Sequence, residues 1–334
     1  MPSHAGQPDE LAHDFVTKLT AMSDPTSGYV ANHKIYCKNY LSYYGIPLAG
    51  TYLTIENVPE LKRLDWDRSL PSSFVMKGAL SNVGNTVRIV KARSGQDFVL
   101  EDGNNITRTE LVTFAEKILK GGFLGTQDAT EPILFEEKLE SCAELKPYLK
   151  CGLADLRIGY YKLVPIHIRL RVASTMSGGL SNVCKNTEIL SPLVNIHGIT
   201  TRTGLFPIEI TSETGQDILG IKVPFFEESL RLGATIEHLM RLNHTTLDIA
   251  LTNRGPVFIE MHTGTNDWAK EVDLRFLVNR IWAVEKNIER VRDVESALAL
   301  AREIYTVDER LDFAEFSRDF RARTGIEVST ILPI

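Results

Sequence analysis

Two carboxylates and a histidine stand out in the stretch LDIALTNRGPVFIEMH, residues 247–262. Asn253-Arg254-Gly255 supplies turn chemistry between two alternating apolar runs, so the segment reads as a β-hairpin. With the turn centred on Arg254, Asp248 lies directly across from Glu260. Strand alternation then groups Leu247, Ile249 and Leu251 with Val257, Ile259 and Met261 on one face. Asp248, Glu260 and His262 share the other face. Facing carboxylates repel, increasingly so as water is excluded. A divalent cation relieves that repulsion, and Mg²⁺ accepts hard oxygen ligands while keeping waters and substrate phosphates as the rest. A solvated hairpin face with two exposed acids is the simpler alternative, because a one-residue slip in register would separate the three groups.

Cationic residues set inside apolar strands form a second group. Lys77 follows Phe74-Val75-Met76 and precedes a turn containing SNVGN. An ammonium there can reach a phosphate while turn N–H groups cover other oxygens, which makes Lys77, Ser81, Gly84 and Asn85 candidates for phosphate binding. A lysine snorkelling from a sheet edge has the same local sequence. In IHIRLRVAS, Arg171 shares alternation with Arg169 and His167, which predicts one strongly cationic strand face. A planar guanidinium suits charge developing on a transferred phosphoryl group. Arg157 in DLRI offers the same chemistry, or else a buried ion pair with Asp155 on its own strand face. His33, His167, His197, His238 and His244 are scattered and read as core or surface histidines. The sequence has no nucleophile elbow, Walker A run or Rossmann glycine motif.

The elements that must carry these residues are short strands separated by helices. Apolar spacing predicts a helix over Asp9–Met22 and a second over Lys34–Tyr44, with Gly45 at its C-terminal end. TYLTIEN reads as a strand, and SFVMKGA, TVRIVKA and QDFVLED as an antiparallel meander. Thr107-x-x-Glu110 is a capping box opening a helix that ends near Leu119. PILFEEKL, DLRIGYYKL and VPIHIRLRVAS follow as strands, the last two as a hairpin. Residues 176–224 are rich in turn formers, Phe225–Leu242 is an amphipathic helix, and the chain beyond Val272 is mostly helical. Small sheets with helices between them imply an α+β fold rather than a doubly wound sheet.

Composition narrows the function classes. The chain has 334 residues, enough for two or three lobes. A net charge of −6 gives no general attraction to nucleic acid or an anionic membrane, so a phosphate site must be built locally. No apolar run is long enough to span a bilayer, and MPSHAGQPDE lacks the signature of a signal peptide, so the expected compartment is the cytoplasm. Cys37, Cys142, Cys151 and Cys184 lack paired metal spacing and are expected as reduced thiols, although Cys142 and Cys151 could meet across a loop.

The order of these segments resembles the ATP-grasp superfamily, and more narrowly its α-L-glutamate ligase-like and sugar-transfer-associated branch. The resemblance runs over roughly residues 30–270. ANHK, with Lys34, and YYGIP resemble the family's early lysine and turn, and FVMKGALSNVG its strand, lysine and phosphate-covering loop. ILFEEKL resembles the hinge strand that contacts adenine through its backbone and ribose through an acid, here Glu137 or, with a slip of one, Glu136. DLRI is similar to the family's DIRV strand. RLRVASTMSGGLSNV is similar to an arginine strand and Ser/Gly loop ending in an asparagine, which maps to Arg171, Ser177, Gly179 and Asn182. The hairpin at 247–262 resembles the family's metal hairpin, whose acid, acid and amide bind magnesium.

The resemblance implies two α+β lobes with mixed or antiparallel sheets clamping Mg-ATP, followed by a helical C-terminal segment. The expected division is a partial N-terminal lobe at 1–70, a small lobe with the phosphate loop at 71–140, a large lobe with the metal hairpin at 141–270, and the helical segment at 271–334. It assigns Arg171 and Lys77 to catalysis, and Lys34, Lys77, Ser81, Gly84, Asn85, Glu136, Glu137, Arg157 and Asn182 to the nucleotide. Asp248, Glu260 and His262 are assigned to the metal. The implied activity is ADP-forming ligation of a carboxylate to an amine, or to a peptide or amino-acid acceptor, through an acyl phosphate. A nucleotide-binding protein without turnover and an ATP-dependent kinase are the alternatives, and a homodimer is compatible with the C-terminal helices. The chain departs from the pattern in three ways. Val83 and Thr86 stand where glycines are common, His262 replaces an asparagine, and only 33 residues precede Lys34 where the family has a substrate domain.

Overall fold

A computed structural model describes residues 18–19, 21–81, 84–125, 129–181, 191–201, 211–263, 274–305, 318 and 321–325. Helices α1 (Pro25–Asn32) and α2 (Lys34–Tyr43) come first, separated by His33, whose ring nitrogen accepts from the Tyr36 N–H and caps α2. Gly45 takes the left-handed conformation just past α2, as its position predicts. The helix expected over Asp9–Met22 lies almost wholly outside the described residues.

Six antiparallel strands make the first sheet: β1 (Thr51–Ile55), β2 (Phe74–Gly78), β3 (Arg88–Ser94), β4 (Asp97–Leu100), β5 (Asn105–Ile106) and β6 (Ile133–Glu136), in the spatial order β1-β6-β2-β3-β4-β5. β1 pairs with β6 and so belongs to this sheet rather than to a separate lobe ending at residue 70. Two short helices, α3 (Val58–Arg63) and α4 (Trp66–Ser69), lie between β1 and β2. The helix α5 (Arg108–Leu119) opens on the predicted capping box, with Thr107 and Glu110 satisfying each other's backbone N–H. Phe74, Met76, Phe98 and Phe135 pack with Trp66 and the buried face of α5. The rings of Trp66 and Phe135 meet edge-on at 5.8 Å. Because side chains alternate, burying Phe74 and Met76 sends Val75 and Lys77 to the opposite face.

The second sheet has the order β10-β9-β8-β7-β11-β12. Its main strands are β7 (Ala154–Tyr161), β8 (Val164–Val172), β11 (His244–Thr252) and β12 (Gly255–His262), with short β9 (Leu193–Val194) and β10 (Thr200–Thr201) at one edge. The pairing is antiparallel throughout the described ladders, so the sheets are antiparallel rather than mixed. Every residue of β7, β8 and β11 is buried. One face (Leu156, Ile158, Ile168, Leu170, Leu247, Ile249) packs on α6 (Phe226–Met240), α7 (Leu274–Lys286) and α8 (Val294–Ile304). The other face carries Asp155, Arg157, Arg169, Arg171 and Asp248. Among the described residues, no helix is long and apolar enough to cross a membrane. Cys37, Cys142 and Cys151 are free thiols, and Cys184 lies outside the described residues.

Candidate active site

The polar faces of the two sheets enclose a cleft of about 820 Å³, counting the part open to solvent. Its apolar lining includes Val75, Ile89, Leu139, Leu153 and Leu180, and its charged lining Lys77, Glu136, Asp155, Arg171, Asp248 and Glu260. A mostly apolar slot ending in converging charges suits a ligand with a flat apolar end and a polyanionic end.

Glu136 ends β6 at the cleft, with Lys38 Nζ 2.5 Å from Oε2 and Lys77 Nζ 2.5 Å from Oε1. Burial by itself would raise the Glu136 pKa, but Lys77 and Lys38 outweigh it and hold the carboxyl below its usual range. Lys38 also donates to the Ala49 carbonyl at 2.9 Å. Lys34 sits one helical turn earlier on the same buried face of α2. Its Nζ donates to the Ser81 carbonyl at 2.7 Å and lies 3.5 Å from Glu260 Oε2. Thus α2, packed against the second-sheet core through Cys37 and Leu41, brings two lysines to acids from both sheets.

On the second sheet the ladder places Asp155 opposite Arg171 and Arg157 opposite Asp248. Arg171 grips Asp155 with two bonds of 2.7 Å, and its Nη2 is 2.8 Å from Asp248 Oδ2. Arg157 binds Asp248 bidentately at 2.9 and 3.0 Å. Asp155 and Arg157, which the sequence offers as an alternative ion pair along one strand, each take a partner across the ladder, where register brings opposite charges together. Ser181 Oγ donates to Asp155 as well. The cationic face is also narrower than expected. Burial, aided by Arg169 and Arg280, pushes His167 well below its usual pKa and leaves it neutral. Arg169 turns to the Ser191 carbonyl at 2.6 Å.

Asp248 lies opposite Glu260, as the sequence predicts, but by a different route. Thr252 pairs with Gly255 and Ile249 with Phe258, so the turn is the two-residue Asn253-Arg254 and not one centred on Arg254. A bulge between that ladder and the Asp248–Glu260 pair restores the register. It also corrects the predicted core face: Phe258 packs in the core, while Ile259 lines the cleft. One ligand atom from each of Asp248, Glu260 and His262 lies within 4.8 Å of the others. His262 Nε2 is 3.3 Å from Glu260 Oε1 and 3.9 Å from Asp248 Oδ2.

The electrostatics differ from the sequence argument. The facing carboxylates are not left to repel, since Arg157 and Arg171 hold Asp248, and Lys34 faces Glu260. Against the opposing effect of burial, Arg157 and then Arg171 keep the Asp248 pKa low, and Lys34 and then His262 keep that of Glu260 well below the usual range. Across these linked pairs, five cations (Lys34, Lys38, Lys77, Arg157, Arg171) meet four carboxylates (Glu136, Asp155, Asp248, Glu260). One surplus positive charge cannot balance a triphosphate. A divalent cation on the Asp248, Glu260 and His262 donors would add two of the missing positive charges, and this donor set fits such an ion.

The turn after β2 is held from beneath. Glu131, fully buried, accepts from Leu80 N–H at 2.8 Å, Ser81 N–H at 2.5 Å and Ser81 Oγ at 2.5 Å. A Cβ at Gly78 would collide with the same carboxylate. The Leu80 and Ser81 amides thus face Glu131 rather than the cleft, so Ser81 meets the loop anchor. Gly84 has φ of +69°, which a glycine supplies without strain, and Asn85 is exposed beyond it. Thr86 Oγ1 accepts from the Gly78 N–H at 3.2 Å, which gives a structural reason for threonine there.

At the rim, Glu137 Oε2 accepts from the Gly50 N–H at 3.1 Å and from Arg254 at 3.0 Å. Glu101 joins the sheets, with Oε1 accepting from Gly152 N–H at 3.0 Å and Oε2 lying 3.3 Å from Lys138. Gly179, with φ of +82°, packs against the Glu101 side chain, where a Cβ would approach to 2.7 Å. Ser177 lies in the same turn and donates to the Ser174 carbonyl at 2.8 Å. Asn182 lies outside the described residues. Sequence reasoning missed Lys38, Glu101 and Glu131. Lys38 was findable, because it lies four residues from Lys34 on one helix face. Glu101 and Glu131 carry no local pattern that marks them.

No curated protein matches the sequence. Among solved structures, the chain is similar to D-alanine–D-alanine ligase from Bacillus anthracis complexed with ATP, at 10% identity and a TM-score of 0.45, covering 85% of this chain and 68% of that one. It is similar to VanG D-Ala:D-Ser ligase from Enterococcus faecalis at 12% identity and 0.47, covering 85% and 64%. With phosphoribosylamine–glycine ligase from Thermotoga maritima, the values are 13% and 0.40, covering 72% and 49%. Residues 13–285 match the family described as sugar-transfer associated ATP-grasp. The match spans most of the sequence and the whole of the cleft, and the chain belongs to that family.

Proposed function

We propose that this protein is an ADP-forming ATP-dependent ligase that joins a carboxylate to an amine through an acyl phosphate. The observation that carries this reading is that Lys77, Asp248 and Glu260 line one cleft, with Lys34, Lys38 and His262 set against its acids Glu260 and Glu136, in a chain of an ATP-grasp family. Two lobes follow from the same reading, one built on the first sheet with β1 included and the other on the second sheet.

The adenine would lie in the apolar slot against Val75, Ile89, Leu139 and Leu180, beside the backbone that follows β6. Glu137 is the better candidate than Glu136 for the ribose, because Glu136 is engaged by two lysines while Glu137 faces the rim. Lys34 and Lys77 would turn from their acids to phosphate oxygens, with Lys38 keeping Glu136 charged. Gly84 and Asn85 would cover the outer phosphates. Asp248, Glu260 and His262 would hold Mg²⁺, which when bound screens the charge between phosphoryl groups.

A carboxylate oxygen of the substrate attacks the γ-phosphorus as its bond to the β–γ bridging oxygen breaks, and ADP leaves. The amine then attacks the acyl carbon and loses a proton, and phosphate departs to leave the amide. Arg171 would stabilise charge in both steps, a role supported by its being held in place by Asp155 and Asp248. Arg157 orients Asp248. The remaining catalysis is positioning.

Magnesium-dependent ADP release in a screen of carboxylate–amine pairs tests the reading, and stoichiometric amide formation is the expected result. A stable phosphorylated acceptor would identify a kinase instead. Nucleotide binding without turnover would favour the non-catalytic reading, which the Val83 and Thr86 departures in the phosphate loop motivate.

A further inference from the structure

The bulge in β12 turns Glu260 and His262 to the same side as Asp248, so an irregularity in the ladder collects three donors at one point. Metal ligands at about 2.1 Å from one ion stand at most roughly 4.2 Å apart. The His262 spacings of 3.3 Å to Glu260 and 3.9 Å to Asp248 lie inside that limit. The three donors differ in kind. Carboxylate oxygens suit Mg²⁺, whereas an imidazole nitrogen adds most for first-row transition ions, of which Mn²⁺ is the weakest binder and so the most demanding probe.

The charge available to the metal is also reduced. Both oxygens of Asp248 already accept from guanidinium groups, and Lys34 faces Glu260 Oε2, which leaves Oε1 turned to His262. An ion held mainly by charge loses most from this arrangement. An ion that gains from a nitrogen bond loses least. Resting on the reading that this cleft takes a metal–nucleotide complex, we propose that His262 is a nitrogen ligand that shifts the preference of the site from Mg²⁺ toward a first-row transition ion.

Mn²⁺ is the probe, because the unbound ion is counted directly by electron paramagnetic resonance. Full-length wild-type protein and His262→Asn, each checked for folding by circular dichroism, are titrated with Mn²⁺ in the presence of ADP and then challenged with Mg²⁺. The wild type is expected to hold Mn²⁺ at least tenfold tighter than the variant and to resist displacement by Mg²⁺. Pulsed spectra of the wild type should carry a nitrogen coupling that disappears in His262→Asn. Equal Mn²⁺-to-Mg²⁺ preference in the two proteins, without nitrogen coupling, overturns the proposal. ADP binding by the wild type without Mn²⁺ retention also overturns it, while the nucleotide reading stands. A wild type that binds no ADP with either ion sinks the parent reading, and this proposal with it.

Discussion

Asp248 pairs with Glu260 although its neighbour Ile249 pairs with Phe258, so one extra residue of β12 is absorbed between them. A regular ladder continued from the turn would set Ile259 opposite Asp248 and place Glu260 on the other face. The meeting of the two acids therefore depends on a local defect in pairing, a feature bulges commonly supply beside functional sites.

The two acids differ in what else they hold. Glu260→Gln should remove metal-dependent turnover while leaving the melting temperature near that of the wild type. Asp248→Asn should remove turnover and also destabilise by about 3 kcal/mol, because it weakens a buried network with two guanidinium groups. Turnover assays paired with chemical denaturation check this. Wild-type rates in both variants would end the metal assignment.

Lys77→Ala should weaken ATP binding by roughly 10- to 100-fold, the range expected for losing a charge-assisted hydrogen bond of about 1.5–3 kcal/mol. Isothermal titration with ATP is the measurement. Affinity equal to the wild type would reduce Lys77 to a structural partner of Glu136.

Glu131 presses no atom toward the cleft, yet it fixes the turn that would cover the phosphates. Glu131→Ala should raise the KM for ATP by about tenfold, the effect of roughly 1.4 kcal/mol, with a smaller change in kcat. Glu131→Gln keeps an acceptor for both amides and should restore most of the loss. Equal defects in the two variants would show that its charge, rather than its hydrogen bonds, matters.

Glu237 on α6 is buried beneath the β7–β8 turn, accepting from the Leu163 N–H at 2.5 Å and Thr245 Oγ1 at 3.2 Å. Burial pushes its carboxyl up to about 8, against those hydrogen bonds. The unfolded chain releases this proton near pH 4.5, whereas the folded chain keeps it until near pH 8. Over that window the folded state binds more protons, so raising the pH favours unfolding by up to roughly 1.4 kcal/mol per unit. Glu237→Gln should remove this slope and be the more stable protein at pH 8. Urea denaturation from pH 5 to 8 tests it, and matching slopes in both proteins would refute it.

Residue alternation and turn chemistry were enough to define the β2–β3–β4 meander, the β7–β8 and β11–β12 hairpins, and the capped helix α5. They also placed Lys77, Arg171 and Asp248 opposite their apolar neighbours, because these patterns repeat over two to four residues of one segment. Pairing between charges is a different matter. Asp155 meets Arg171 rather than Arg157, Lys38 meets Glu136 across 98 positions, and Glu131 meets a turn 50 residues earlier. Such choices depend on ladder register, on the β12 bulge and on how α2 packs between the sheets. Those features are settled by long-range burial, so no local window of the chain encodes them. The sequence alone determined which side chains could carry chemistry, and the tertiary structure decided which acid answers which base.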